Sequence, residues 1–214
     1  MTTAHRPDGW TAYYDRNTAT PPESTLMTAL DLFDAERTGG RPGTPVDAPA
    51  DVPFAVDLGC GQGRDTVELL RRGWRVLAID ADPDGIARLR RDLSAHYGDR
   101  FETRLGRYED QSWPRADLVN ASLTLGWCAE GRFPELWRRI EGSLRPGGRF
   151  AGQFHGVNDS GGGFPTTTRL SSEQLDALFA GWDVELRREE EVDSMTPFGI
   201  PKRRHLHDVV ARRR

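Results

Sequence analysis

Lysine is almost missing from this chain of 214 residues. Lys202 is the single one, and arginine supplies the rest of the 29 basic side chains. Acidic side chains number 33, so the formal net charge is −4. A chain that grips duplex DNA through its phosphates is normally basic overall, and no DNA partner is expected. Cysteine is scarce too. Cys60 and Cys128 are the only two, which excludes a disulfide framework and a CxxC metal knuckle. No apolar run approaches the ~20 residues of a membrane helix, and the first residues lack the apolar segment of a signal peptide. The expectation is a soluble, cytoplasmic protein, monomeric or homodimeric. Glycine (23) and proline (14) are plentiful but not periodic, which fits a loop-rich globule rather than a fibre.

What is present reads as strand alternating with helix. Leu26, Ala29, Leu30 and Phe33 form one apolar face of an N-terminal helix. Residues 38–53, punctuated by Gly and Pro, read as a linker between an N-terminal lid (1–53) and a main domain (54–214). Strands are expected at 54–58, 75–80, 101–105, 116–122 and 149–154, with two later β-rich segments at 182–186 and 205–210. Helices are expected from Thr66 to a Gly73 cap, after Asp82-Pro83, from Glu135 to Leu144, and after Ser171. This alternation predicts an α/β fold with a parallel sheet covered on both faces.

The most informative stretch is Val56-Asp57-Leu58-Gly59-Cys60-Gly61-Gln62-Gly63-Arg64-Asp65. It follows a strand and opens a helix, where glycines permit a sharp turn and close approach of a ligand to the backbone. Reading GxGxxG from Gly59 puts Arg64 at the third glycine position, and reading from Gly61 puts Thr66 there. Both fail, and GxxxxGK is absent, so nicotinamide-dependent oxidoreductases and nucleoside-triphosphate enzymes lose ground. Asp80 ends the second strand, at the crevice shared by neighbouring strand ends, where an acid can accept both ribose hydroxyls of an adenosyl ligand.

This combination resembles the class I S-adenosylmethionine-dependent methyltransferases. Ala116-Asp-Leu-Val-Asn120 and Leu144-Arg-Pro-Gly-Gly148 extend the resemblance. Within that superfamily it is most similar to the small bacterial tellurite-resistance and thiopurine-type enzymes, through Tyr13-Tyr14, Leu125-Gly-Trp-Cys128, Gln153 to Asp159 and Arg204-His-Leu-His207. The resemblance implies a doubly wound, mostly parallel seven-stranded sheet with its last strand antiparallel, plus a helical lid. It also implies S-adenosylmethionine as cofactor and S-adenosylhomocysteine as product. Asp57, Gly59, Gly61 and Gly63 would surround the methionine part, Asp80 would hold the ribose and Ala81 would flank the adenine. Arg107 stands where the family usually places the adenine-binding Asp, which leaves that contact to the Tyr108 backbone or the Glu109 carboxylate. Asn120 or Ser122 would close the floor.

Methyl transfer from a sulfonium is an in-line displacement, and alignment alone contributes ~7–11 kcal/mol. Tyr13 and Tyr14 offer π-faces to a cationic centre, and Trp127 follows the fourth strand at the rim. His155, as base or positioning donor, with Tyr14 and Asp159 completes the candidate catalytic set. His205 and His207 alternate onto one strand face and read as substrate-pocket lining or as satisfied structural histidines. Two histidines at that spacing can share a metal, but no Cys or acid follows in the right pattern, so no metal is expected. The expected activity is methyl transfer to a small molecule, whether thiol or chalcogen, amine or hydroxyl. The alternatives are a cofactor-binding sensor or rearrangement catalyst, and a methyltransferase acting on peptide or RNA.

Overall fold

A computed structural model describes residues 10–16, 20–37, 52–129, 131–161, 168–196 and 198–214. The linker expected at 38–53 lies, up to residue 51, outside the described residues. So do Gly162 and Gly163 in the loop after Asp159 and the first nine residues.

Seven strands form one sheet: β1 (Phe54–Leu58), β2 (Arg75–Asp80), β3 (Phe101–Leu105), β4 (Ala116–Ala121), β5 (Leu144–His155), β6 (Trp182–Met195) and β7 (Pro201–Arg213). Their spatial order is β3-β2-β1-β4-β5-β7-β6. The first five are parallel, while β7 runs antiparallel between β5 and β6. This is the expected doubly wound sheet. The strand order reverses beside β1, so β1 and β4 open the crevice at their carboxyl ends.

Strand parity sorts the core into two layers. Val56, Leu58, Leu77, Ile79, Val119, Phe150, Phe154, Val209 and Ala211 face helices α5 (Phe133–Ser143) and α6 (Ser172–Leu178). Ala55, Val76, Ala78, Leu118, Ala151 and Val210 face α2 (Ser24–Arg37), α3 (Arg64–Arg71) and α4 (Pro83–Tyr97). Each fully buried Leu, Ile or Phe in these layers contributes ~1.5–3 kcal/mol. The predicted face of α2 is the buried one: Leu26, Ala29 and Leu30 are fully enclosed. Helix α2 therefore belongs to the sheet's outer layer, and the short α1 (Thr11–Arg16) alone lies over the glycine loop. Arg149 on β5 fixes α2 in place. Its guanidinium bridges Glu36 (2.6 Å) and Glu185 (2.7 Å) and stacks 4.5 Å from the Phe33 ring centre.

Three strands are longer than the sequence pattern suggests. β5 starts within Leu144-Arg-Pro-Gly-Gly148 because its pairing with β4 shifts register between Ala116 and Leu118, which absorbs the Pro-Gly-Gly stretch. β6 and β7 extend into a long hairpin whose outer half is held by charge pairs. Arg203 reaches Glu191 and Asp193, both at 3.0 Å, and Arg204 pairs with Glu190. Cross-strand ion pairs replace the apolar alternation that marks a strand in sequence.

Candidate active site

The loop after β1 turns through Gly59, Gly61 and Gly63, all in the left-handed region at φ +67°, +54° and +92°. Two of them are required by packing as well. A Cβ on Gly59 would lie 2.0 Å from Thr124 Oγ1, and one on Gly63 would lie 2.1 Å from Leu89. Gly85, in the first turn of α4, serves the same loop from below. A Cβ there would meet the Gly61 carbonyl at 2.8 Å and the Tyr14 hydroxyl at 3.0 Å. Asp82 caps that helix by accepting from the Gly85 N–H at 2.9 Å, with Pro83 in the first turn.

Asp80 closes the cradle. Its Oδ2 accepts from the Gly61 N–H at 2.8 Å and its Oδ1 from the Asp82 N–H at 2.7 Å. A carboxylate has roughly four lone-pair sites, so these two amides orient it while acceptor capacity remains for a ligand's hydroxyls. Burial pushes its pKa up, and the backbone amides pull against that shift. Ala81, beside it, is exposed.

Asp57 and Asn120 lie beneath the loop. Asp57 accepts from Thr66 Oγ1 at 2.6 Å and from Asn120 Nδ2 at 2.9 Å, while Asn120 Nδ2 also reaches Asp65 at 3.1 Å. Burial first, and then the neighbouring Asp65, push the Asp57 carboxyl up to about 7. Asp57 and Asn120 thus tie β1, β4 and α3 into the shape the glycines need. Ser122 donates to Asn120 Oδ1 at 3.3 Å and completes this layer.

Beyond β3, Tyr108 is buried and donates to the Thr124 carbonyl at 2.8 Å, which leaves its hydroxyl committed. Glu109 is 2% exposed and pairs with Arg107 through Oε1, which also accepts from the Ala129 N–H at 3.2 Å. Its other oxygen, Oε2, is buried without a hydrogen-bond partner among the described residues. Buried polar atoms are nearly always satisfied, so this oxygen is an acceptor awaiting a donor.

Aromatic rings cover the cradle. The Tyr14 ring sits against Gly61, where a Cβ would be 3.3 Å from its Cε1. Tyr14 then meets Tyr13 (6.0 Å between ring centres), Tyr13 meets Trp10 (5.5 Å), and Trp10 meets Trp127 (5.4 Å), each edge to face. This row joins the glycine loop to the segment after β4. Ion pairing of Arg88 with Asp15 at 2.8 Å and a Thr11–Asp84 hydrogen bond hold α1 on α4. Burial and the charges of Asp80 and Asp82 raise the Tyr14 pKa, so it remains a phenol.

His155, Asp159, His205 and His207 form a second group, built on β5 and β7 at the same edge of the sheet. Asp159 is buried and accepts backbone amides at both oxygens, from Gly161 at 2.8 Å and His205 at 3.1 Å. It pins the loop after β5 onto β7. The Nδ1 of His155 is buried without a partner, and burial lowers its pKa to about 4 despite the nearby Asp159. His205 hydrogen-bonds Glu189 through Nε2 at 2.9 Å, and its ring centre lies 4.9 Å from that of His207. Glu189 is the acidic neighbour that linear spacing does not show, because it comes from β6.

Sequence reasoning gave no role to Thr124, Gly85, Gln62 or Gln153, although the last two fall inside quoted motifs. Gln62 donates to the Tyr14 carbonyl at 3.2 Å. Gln153 accepts from the Leu123 N–H at 3.0 Å and holds that residue at φ +56°, an uncommon state for leucine. No local motif assigns these roles, since each residue acts across the fold.

The strand order, with a glycine turn after β1 and an acid at the end of β2, is that of the Rossmann-like methyltransferase fold. Residues 55–148 match the model of a methyltransferase domain. Over 121 residues the chain is 36% identical to trans-aconitate 2-methyltransferase of Mycobacterium sp. (strain KMS), covering 53% of this chain and 41% of that protein. Over 102 residues it is 33% identical to a probable cobalt-precorrin-6B C(15)-methyltransferase of Methanothermobacter thermautotrophicus, covering 47% and 52%. The matched segments thus span about half the length of these relatives or less. Among solved structures, TehB from Haemophilus influenzae superposes with a TM-score of 0.73 at 15% identity, covering 94% of this chain and 66% of that one. A 1,6-didemethyltoxoflavin-N1-methyltransferase of Burkholderia thailandensis, solved with its substrate and S-adenosylhomocysteine, gives 0.61 at 19% identity, covering 100% and 92%. At these identities the structural matches speak for the fold.

Proposed function

We propose that this protein transfers a methyl group from S-adenosylmethionine to a small-molecule acceptor, and that the acceptor's nucleophile is a thiol or another soft chalcogen. The observation that carries the reading is the cradle itself: three left-handed glycines closed against Asp80, with an unsatisfied Glu109 oxygen beyond them. The residues fit the cofactor. Asp80 would accept the ribose hydroxyls, Glu109 Oε2 or the Tyr108 backbone the adenine amine, and the backbone of Gly59 to Gly63 would border the methionine part. Bound there, S-adenosylmethionine supplies a methyl group already activated on sulfur.

The chain's own task is then alignment and exclusion of water. The Tyr14–Tyr13–Trp10–Trp127 row covers the cradle and presents π-faces suited to a sulfonium. Tyr14 stays protonated, and so acts as a donor and a wall rather than as a base. His155 is neutral at physiological pH, but with a pKa near 4 its proton affinity is low. General-base catalysis works best when the pKa is near the working pH. A hydroxyl or ammonium acceptor would draw little help from such a base, whereas a thiolate or reduced chalcogen needs little. Asp159 acts through the backbone as a positioning residue.

The test supplies purified protein with cofactor labelled in the methyl group and a panel of thiols, amines and hydroxyl compounds, analysed by mass. Labelled thioether and stoichiometric S-adenosylhomocysteine are expected. Labelled amine or ether products with no thioether would overturn the acceptor class. Tight cofactor binding with no transfer to any acceptor would favour a sensor.

A further inference from the structure

The side chains Glu189, His205 and His207 lie outside the cradle, and the methyl transfer proposed above gives them no step. His205 and His207 alternate on β7, so both rings project from one face, and Glu189 of β6 stands directly opposite His207 in the antiparallel register. One ligand atom from each of the three lies within 4.8 Å of the other two. Four-coordinate zinc holds its nitrogen and oxygen ligands at ~2.0–2.2 Å, so neighbouring donors are about 3.4 Å apart. Side-chain adjustments on the order of 1 Å close the remaining gap.

His207 supplies an independent sign of a missing ligand. It is 0% exposed, and among the described residues the Leu170 backbone is at most one hydrogen-bond partner for its ring, with Glu189 Oε2 3.7 Å from Nδ1, so at least one buried ring nitrogen is unpaired. Buried polar groups without a partner are rare, and each calls for an explanation such as an ion. The surroundings supply what metal ligands ordinarily have around them. Ser172 donates to Glu189 Oε2 at 2.9 Å, and Glu191 stands 3.7 Å from His205 Nδ1, where it can accept that nitrogen's proton once Nε2 turns to the metal; the Asn158 N–H, now 3.2 Å from Nδ1, then has to find another acceptor. Outer partners of this kind orient ligand side chains and tune the metal. Glu189 is half exposed and forms the solvent side, which leaves an open position for water or a small ligand.

We infer that Glu189, His205 and His207 form a site for a divalent first-row transition metal, with zinc the best match. Two imidazoles and one carboxylate are a zinc-type donor set, whereas magnesium and calcium prefer oxygen cages. The ion would join β6 to β7, and through Ser172 it would steady the start of α6. This assignment does not depend on the methyl-transfer reading.

The experiment titrates zinc into the full chain, freed of any affinity tag, by calorimetry, and records the visible spectrum with cobalt in its place. One zinc per chain and a tetrahedral cobalt spectrum are expected, with affinity at least about tenfold weaker in both His207→Ala and Glu189→Gln. The half-exposed Glu189 keeps the test decisive if His207→Ala fails to fold. Circular dichroism and a cooperative thermal transition, recorded in parallel, report that each variant is folded. Absence of stoichiometric binding in the wild type, or affinity and cobalt spectrum unchanged by Glu189→Gln, would overturn the inference and leave a His205–Glu189 hydrogen bond of structural use only.

Discussion

The Gly61 N–H donates to Asp80 Oδ2 at 2.8 Å, so the tip of the glycine turn and the acid that ends β2 are one unit before any ligand arrives. Preorganisation of this kind lowers the ordering cost of binding. Under the proposed function Asp80 would act twice, on the ligand and on the loop.

Asp80→Ala should weaken cofactor affinity by ~1.5–3 kcal/mol, or about 10- to 150-fold, the scale of charge-assisted hydrogen bonds. Calorimetric titration with S-adenosylhomocysteine reads this directly. Unchanged affinity would remove Asp80 from the site.

Gly59→Ala forces a side chain into the left-handed region, at ~1–2 kcal/mol, and drives its Cβ to 2.0 Å from Thr124 Oγ1. Denaturant unfolding should show both losses. In a double-mutant cycle with Thr124→Gly, the pair should lose less stability than the two single variants summed, by ~1 kcal/mol or more. Strict additivity would mean that the contact with Thr124 is of no consequence.

The Trp10→Ala variant breaks the aromatic row between Tyr13 and Trp127. Edge-to-face pairs contribute ~0.5–1.5 kcal/mol each beyond burial, so kcat/KM should fall roughly tenfold. Cofactor affinity, set by Asp80 and the glycines, should change much less. Equal losses in binding and turnover would reject a covering role for the row.

Burial raises the Asp57 carboxyl from 3.8 to about 7, so the native state keeps a proton that the unfolded chain gives up at lower pH. Stability from this group is present in full below about pH 4 and is lost as pH rises toward 7. Thermal unfolding between pH 5 and 8 should show a decline in wild type that Asp57→Asn flattens. A parallel decline in both would assign the effect elsewhere.

His155 behaves in the opposite sense. Its pKa is depressed from 6.5 to about 4, so its contribution is present above pH 6.5 and is lost as pH falls toward 4. Proton NMR should show the His155 ring, assigned through His155→Gln, neutral down to about pH 5. An inflection near 6.5 for that ring would contradict its burial.

The parts legible in the sequence are those governed by local rules. Apolar runs of five or six residues gave β1, β2 and β4, because strands buried on both faces need no alternation. Asp82-Pro83 announced α4, because a cap and a first-turn proline act within one helical turn. The charged hairpin was underread, since Arg203, Arg204, Glu190 and Glu191 look like solvated charge until the strands are paired. Glu189 escaped as a partner of the histidines for the same reason.

Sequence alone determined that Gly59, Gly61 and Gly63 make a tight strand-to-helix turn and that Asp80 ends the next strand, because backbone freedom and strand length are properties of short segments. Only the tertiary structure decided that Tyr14 lies on Gly61, that Thr124 packs against Gly59 and that Glu189 meets His205. Those contacts depend on strand register and on how distant segments pack, which no local pattern encodes.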